Sequence, residues 1–480
     1  MGQKFPSWLR PQIITGISGF NLDAYLLALE GWRRGLTLTW YARPEKVTDL
    51  KIVGFEPLAK SFSLKNEETG QIHYFYRSRG DLVANEAVEI VNDKFATKQR
   101  LLQLGIPTPK GFKFSKEESI KDIIARLKHS DFSYPVVVKP VFGSLGKGVI
   151  TNIGNEEELI SALTKTKANP DYTEFMLEEF YQGKEYRVYV IGDRIAAATE
   201  RVPANIVGDG QSNIKNLIEK KNKARKYNPY LRTKLIEIDD TVRDYLKAQR
   251  LSLDSVPAKD EQIFLKGASN ISAGGDPVDV TDSISEYMKA TAIKAREAIP
   301  NLFHVGLDMI VNDNVAYIIE LNGTADISMH VFPDEGVARN VPKIIIDYYF
   351  PESESPSGEN MKFYFDFREI RRILRNQLTE EVTLKPISKK SYTKRFVISG
   401  KVQGVGYRKW IKRQALRRGL NGYTRNLNNG DVVVVVGGSK ETVESFKKVC
   451  EQGPKKAIVN DMRELEWNGP IKLGFEIRKN

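Results

Sequence analysis

The sequence predicts a multidomain chain of α/β and α+β units, and three observations carry that expectation. Its 480 residues exceed what one small domain holds, so three compact units, each able to bury a core, are the natural expectation. Strand-like and helix-like apolar patterns alternate between about 89 and 351. The final ninety or so residues read strand, helix, two strands, helix, strand. A run rich in Pro, Ser, Glu and Gly, PESESPSGEN at 351–360, separates the last two regions. The expected division is therefore 1–88, 89–351, a linker with a bracing helix at 352–390, and 391–480.

In the first region, IITGISGF reads as a strand and turn, Leu22 to Trp32 as a helix, and LTLTWY as a second strand, a small α/β unit without a full dinucleotide fingerprint. The chain carries a formal charge of +12 and a pI near 9.3, which suggests acidic partners such as nucleotides and phosphorylated intermediates or an anionic polymer. The basic residues are scattered rather than gathered in one tail, so a solvated basic surface explains them equally well, and nucleic acid is not the expected partner. A single cysteine, Cys450, excludes an internal disulfide and fits a reducing compartment. One Cys and four His supply no thiolate or imidazole metal cluster. No stretch approaches the roughly twenty apolar residues that span a bilayer, and the first residues lack a signal-peptide core. A cytoplasmic protein with no membrane partner is expected, and a homo-oligomer stays open.

Three polar constellations mark the central region. VVVKPVFGSLGKGV at 136–149 delivers Lys139 on an apolar strand into a glycine-rich turn that includes Gly146, whose amides can fold over phosphate oxygens. MLEEFYQGKEYRVYVIG at 176–192 is an acidic crossover followed by a β-rich run. GLDMIVNDNVAYIIELNG at 306–323 reads as a hairpin turning at Asn312-Asp313-Asn314. If Val311 faces Val315, Asp308 opposes Ile318 and shares a face with Glu320 and Asn322, because side chains alternate with period two. Those three oxygen ligands suit Mg²⁺. A slip of one residue in the turn would send Asp308 to the opposite face.

In this order and spacing, the three constellations resemble the ATP-grasp superfamily. The longer strings NDKFATKQRLLQLGIPTP at 92–109, RVPANIVGDGQSNIKNLIEKKN at 201–222 and SNISAGGDPVDVTD at 269–282 resemble the ligase domain of cyanophycin synthetases and bifunctional glutathione synthetases. The resemblance implies that Lys94 and Lys139 hold ATP phosphates and that Glu178, Glu179, Phe180 and Tyr181 form the hinge beside adenine. It further implies that Glu185 takes the ribose hydroxyls and that Asp308, Glu320 and Asn322 ligate Mg²⁺ or Mn²⁺. Arg201, Asn205 and Asn270 would line the acceptor or acyl-phosphate side. Two departures stand out: GTADISMH replaces the family's usual Pro-Gly turn after Asn322, and Gly306 stands where the D-alanine ligase branch has an arginine.

Beyond the linker, REIRRILRNQL is the expected bracing helix. In FVISGKVQGVGYRKWIKRQALRRGLNGYTRNLNNG at 396–430, Gly404 and Gly406 permit positive φ, and an amphipathic helix then begins beside Arg408. A helix N-terminus with an arginine fork is an anion site. Val397 to Arg408 and Gly422 to Gly430 match two signatures of the acylphosphatases. That resemblance implies a ferredoxin-like βαββαβ unit in which Arg408 and the loop amides from Gln403 to Tyr407 bind a phosphoryl group and Asn426 orients the attacking water. A strand at 432–436, a helix at 440–451 and a closing strand around Phe475 to Ile477 complete it.

The two resemblances together imply an ATP-dependent carboxylate–amine ligase that acts through an acyl phosphate and releases ADP and phosphate, fused to a domain that hydrolyses acyl phosphates. Its partners would be a small carboxylate and an amine of the amino-acid or peptide class. Two alternatives stay open: an acyl-phosphate hydrolase with a nucleotide-sensing module, and a protein docked on an anionic polymer or RNA that modifies a protein tail.

Overall fold

The computed structural model describes residues 5–52, 60–143, 147–356 and 358–479. They form two compact units, one of 78–341 and one that combines 5–77 with 342–479.

The second unit begins with helix α1 (Phe20–Arg33) and strands β1 (Thr37–Tyr41), β2 (Ser61–Lys65) and β3 (Ile72–Tyr76). α1 buries nearly its whole length, as its apolar run FNLDAYLLALEGW requires. The strand expected ahead of it is instead a short 3-10 turn, Pro11–Ile14, because Pro11 sets a helical φ and removes a donor.

The first unit holds helix α2 (Lys94–Gln103) and a four-stranded sheet built from β4 (Gly111–Ser115), β5 (Val136–Pro140), β6 (Ile150–Ile153) and β7 (Glu174–Glu179), in the order β4-β7-β5-β6. A five-stranded antiparallel sheet follows. It uses β8 (Lys184–Ile191), β9 (Arg194–Val202), β10 (Asp276–Asp279), β11 (His304–Asn312) and β12 (Val315–Asn322), in the order β10-β9-β8-β11-β12. Between β9 and β10 the chain makes a small lobe of helices α3 (Ile214–Arg225) and α4 (Asp240–Ala248) on a two-stranded ladder, with its own apolar core. One face of the five-stranded sheet buries Val188, Val190, Leu307, Met309 and Ile318. The polar residues of the same strands are thereby left on the other face.

Returning to the second unit, helix α5 (Phe367–Arg375) and strand β13 (Glu381–Leu384) come from the stretch expected to link and brace. β13 pairs antiparallel with β1, Leu384 opposite Leu38. The aromatic rings of Phe365 and Phe367 pack on Tyr25 and Trp40, with centroids 4.7–6.5 Å apart.

The remaining strands are β14 (Ser391–Lys401), β15 (Asn421–Asn426), β16 (Val432–Ser439), β17 (Ile458–Glu466) and β18 (Phe475–Ile477), with helices α6 (Tyr407–Arg417) and α7 (Lys440–Gln452). Their sheet order, β17-β14-β16-β15-β18, is the ferredoxin-like arrangement with one added edge strand. The strand that completes the βαββαβ order is β17. The expected closing strand at 475–477 is instead the added edge, parallel to β15. β17 escapes a hydropathy reading because Asn460, Asp461, Arg463 and Glu464 interrupt its apolar residues.

Candidate active site

Three rows of directly opposed residues cross strands β9, β8, β11 and β12. The middle row is Thr199, Arg187, Asp308 and Glu320. On one side Arg201 opposes Glu185, and on the other Tyr189 opposes Gly306, which opposes Asn322. Opposed residues share a sheet face, and alternate residues return to it. Arg201, Glu185, Asp308, Glu320 and Asn322 therefore project from one face, with Arg187 among them.

The hairpin reaches this arrangement by a route that differs from the expected register. Its turn has two residues, Asp313 and Asn314, with φ of 45° and 65°, so Asn312 opposes Val315 and Val311 opposes Ala316. That one-residue shift would by itself turn Asp308 away from Glu320. A bulge at Ile319 adds a second shift, and Asp308 then stands directly opposite Glu320 rather than Ile318.

A cavity of about 590 Å³ lies over this face and the adjoining four-stranded sheet. Lys94, Lys139, Glu178, Glu179, Phe180, Tyr181, Glu185, Arg201, Asp308 and Glu320 all line it. Lys139 comes from β5, and its Nζ lies 2.5 Å from Glu178 Oε1. Glu178 Oε2 is paired in turn with Lys98, at 2.6 Å, one helical turn beyond Lys94. All three groups of this Lys–Glu–Lys triad are buried. Lys94 Nζ donates to the Gly143 carbonyl at 2.7 Å and sits 4.0 Å from Glu320 Oε1. Glu179 accepts from the Lys110 amide at 2.8 Å and from the Tyr181 hydroxyl at 3.0 Å, and the Tyr181 ring stacks on Tyr317 at 3.8 Å. These bonds fix the crossover between β7 and β8.

Burial raises the Asp308 carboxyl, but Arg187 and Arg201 outweigh that effect and hold it below the usual carboxylate range. Arg187 donates from Nε and Nη2 to the two oxygens, and Arg201 Nη2 lies 3.0 Å from Oδ1. Burial, reinforced by Asp308, raises Glu185 against the attraction of Arg201. Burial also pushes the Lys98 ammonium down to about 8 despite the pull of Glu178. Arg187 and Lys98 were missing from the expected set, although both carried a signal. Arg187 shares the period-two face of Glu185, and Lys98 shares the helix face of Lys94.

Three candidates lie outside the cavity lining. Asn322 is on the same sheet face but one row beyond. Asn205 donates to Asp276 at 2.8 Å, within a buried cluster completed by Lys221 and Arg225. Asn270 caps a 3-10 turn by accepting from the Ser272 amide at 2.9 Å. Gly146 lies outside the described residues. Among the described residues, no three His, Cys, Asp or Glu gather as a metal cluster. Asp308, Glu320 and the Asn322 amide are two carboxylates and a carbonyl on one face, a hard-oxygen set that fits Mg²⁺ chemically.

In the C-terminal part of the second unit, Gly404 and Gly406 have φ of 74° and 80°, and a Cβ at either would meet nothing within 4 Å. Glycine is needed there for conformation rather than for space. The loop is tied to the opposite turn by Gln403, whose Nε2 donates to the carbonyls of Leu427 at 2.9 Å and Asp431 at 2.8 Å. This bridge sets the start of α6, with Arg408 in its first turn, beside the end of β15, where Asn426 sits. The Asn426 Oδ1 is buried and meets no donor among the described residues. First-turn amides, an arginine fork and an unused amide oxygen together make a small anion-and-water site.

The chain carries a RimK-like ATP-grasp domain, matched over residues 91–274, and an acylphosphatase domain, matched over 394–477. Among its relatives, the cyanophycin synthetase of Synechocystis sp. is 32% identical over 280 residues, 56% of this chain and 31% of that protein. The glutathione biosynthesis bifunctional protein GshAB of Desulfotalea psychrophila is 33% identical over 350 residues, 70% of this chain and 42% of that protein. A crystal structure of the bifunctional glutathione synthetase from Pasteurella multocida superposes with a TM-score of 0.48 at 28% identity, over 63% of this chain and 41% of that one. The chain thus spans less than half the length of each of these three relatives.

Proposed function

We propose that this protein is an ATP-dependent carboxylate–amine ligase acting through an acyl phosphate, with a fused domain that hydrolyses acyl phosphates. The observation that carries the ligase half is a cavity lined both by Lys94 and Lys139 and by Asp308 and Glu320, which oppose each other on paired strands. Residues 89–351 would carry the nucleotide chemistry and 391–480 the hydrolysis. Mg²⁺ held by Asp308, Glu320 and Asn322 would supply charge neutralisation at the phosphates. The lysines bind and orient the γ-phosphoryl group of ATP. Glu178, Glu179, Phe180 and Tyr181 flank the base, and Glu185 takes the ribose hydroxyls. A carboxylate oxygen of the substrate attacks the γ-phosphorus, the bond to the β-phosphate oxygen breaks, and ADP leaves. The amine nitrogen then attacks the acyl carbon, loses a proton, and displaces phosphate as the amide forms.

Relatives named for cyanophycin synthesis and glutathione biosynthesis support a bond-forming reading, with carboxylate and amine of the amino-acid or peptide class. In the second domain, Arg408 and the loop amides would hold the phosphoryl group while Asn426 orients a water, so the two domains share one intermediate. The test supplies ATP, Mg²⁺ and a panel of amino acids and short peptides. ADP and phosphate should accumulate with substrate, and hydroxylamine should trap a hydroxamate. Release of AMP and pyrophosphate would overturn the mechanism.

A further inference from the structure

The basic residues are scattered along the chain, but their excess over the acidic ones is not. Residues 391–480 hold nineteen Lys and Arg against eight Asp and Glu, a balance of +11, whereas residues 1–390 hold 54 against 53. The excess is confined further within the domain. From Ser391 to Gly430, through β14, α6 and β15, there are ten cations and no carboxylate. Almost the whole formal charge of +12 therefore sits on one small fold, and a concentration of that kind is the electrostatic footprint of a polyanion site.

The densest part is α6, YRKWIKRQALR. Tyr407, Ile411 and Ala415 are buried, while Lys409, Arg413 and Arg417 are exposed at successive i+4 positions with half-buried Lys412 beside them. Like charges stacked in one stripe repel, and the first turn has no acidic residue where the helix dipole favours one. α7 of the same domain does place Glu441 in its first turn. Arg408 answers to the phosphoryl site. Arg417 lies nine residues farther on, about 13.5 Å along the axis, too far for a small acyl phosphate held at the loop to touch it.

We infer that the exposed stripe of α6 binds the phosphate backbone of a nucleic-acid duplex. Its cations follow one another at about 6 Å along the axis. Two of the three carry the guanidinium fork that fits phosphate oxygens, and a duplex presents one negative charge per roughly 1.7 Å of its length. Leu416 is the one large apolar side chain exposed on the helix, too little apolar surface to enter a lipid layer. Trp410 is half-buried beside Tyr407, ring centroids 6.2 Å apart, so α6 exposes no ring on which an unpaired base would stack. Contacts to phosphates alone carry no base preference. The inference concerns binding alone and does not depend on the ligase reading.

The experiment is fluorescence anisotropy of short labelled RNA and DNA duplexes on the full chain, with labelled hexaglutamate and co-sedimentation on phosphatidylserine vesicles as comparisons. Both duplexes should bind saturably, whatever their sequence, and weaken steeply with salt. The Arg413→Glu/Arg417→Glu protein should lose at least about tenfold in affinity, and its slope of log affinity against log salt should be shallower by about two. Arg413→Lys/Arg417→Lys, which keeps the charge, should lose no more than a few-fold. Lys223→Glu/Lys226→Glu, the same change of charge on the other unit, should bind as the parent does. Thermal melting checks that these exposed substitutions leave the fold intact. No saturable duplex binding at low salt, binding of only one duplex type, or undiminished binding by the α6 charge-reversed protein would each overturn the assignment. So would an equal loss in the variant of the other unit, or tighter binding of hexaglutamate or vesicles that the α6 reversal abolishes.

Discussion

Arg187 grips Asp308 with two guanidinium nitrogens, and its side chain fills the space beside Gly306: a Cβ there would lie 3.3 Å from Arg187 Cδ and 2.4 Å from Ala325 Cβ. Lysine offers one point charge where this site uses a fork, so Arg187→Lys should lower amide formation by about a hundredfold while the protein stays folded, read as kcat/KM beside a melting curve. Gly306→Ala should destabilise by about 2 kcal/mol through crowding, measured by urea unfolding. Lys98 gives a pH test. Its ordinary value of 10.5 is lowered to about 8 by burial, so it is charged below about pH 8 and loses its proton as pH rises through that value. Glu178 then pairs with Lys139 alone and draws that lysine from the phosphates. ATP affinity should therefore fall a few-fold from pH 7 to pH 9 by calorimetry, and Lys98→Met should lack that step.

The hairpin β11–β12 shows at the scale of an element what periodicity can and cannot reveal. Alternation placed Asp308, Glu320 and Asn322 on one face, and the structure has them so, but through a tight turn and a bulge whose two one-residue shifts add to two and so restore the face. The run NDN marks the turn but not its length, and the bulge has no composition signal in VAYIIELN, because a bulge is set by cross-strand packing rather than by residue type. The turn itself is testable. Asn314 has a φ of 65°, so Asn314→Gly should be neutral or stabilising and Asn314→Val should cost about 1 kcal/mol or more, read from melting temperatures. Lys139 was legible because it sits on an apolar strand that runs into a glycine-rich turn, whereas Glu178 to Tyr181 and Glu185 stood out only through the family resemblance of the surrounding strings. Asn205 and Asn270 were harder, since an amide in a polar string can bind substrate, cap a turn or satisfy a buried carboxylate, and only coordinates distinguish these. β17 was missed because polar and charged residues interrupt its apolar ones.

For the molecule as a whole, the proposed sharing of an acyl phosphate makes a quantitative claim. With a poor amine, the wild type should consume more ATP per amide than the Asn426→Ala protein, because the second domain drains the intermediate. The measured quantity is ADP formed per amide formed; an equal ratio in both proteins across good and poor amines would exclude a draining role. The pairing of β13 with β1 has a consequence of another kind. The Trp32 indole donates to the Lys385 carbonyl across 353 positions of sequence, and Arg33 reaches the Phe363 carbonyl across 330. A ribosome makes β1 early and β13 late, so the first strand emerges with an open edge and waits through most of translation for its neighbour. An expression fragment ending before residue 361 would leave Tyr25 and Trp40 without Phe365 and Phe367, and should collect in inclusion bodies.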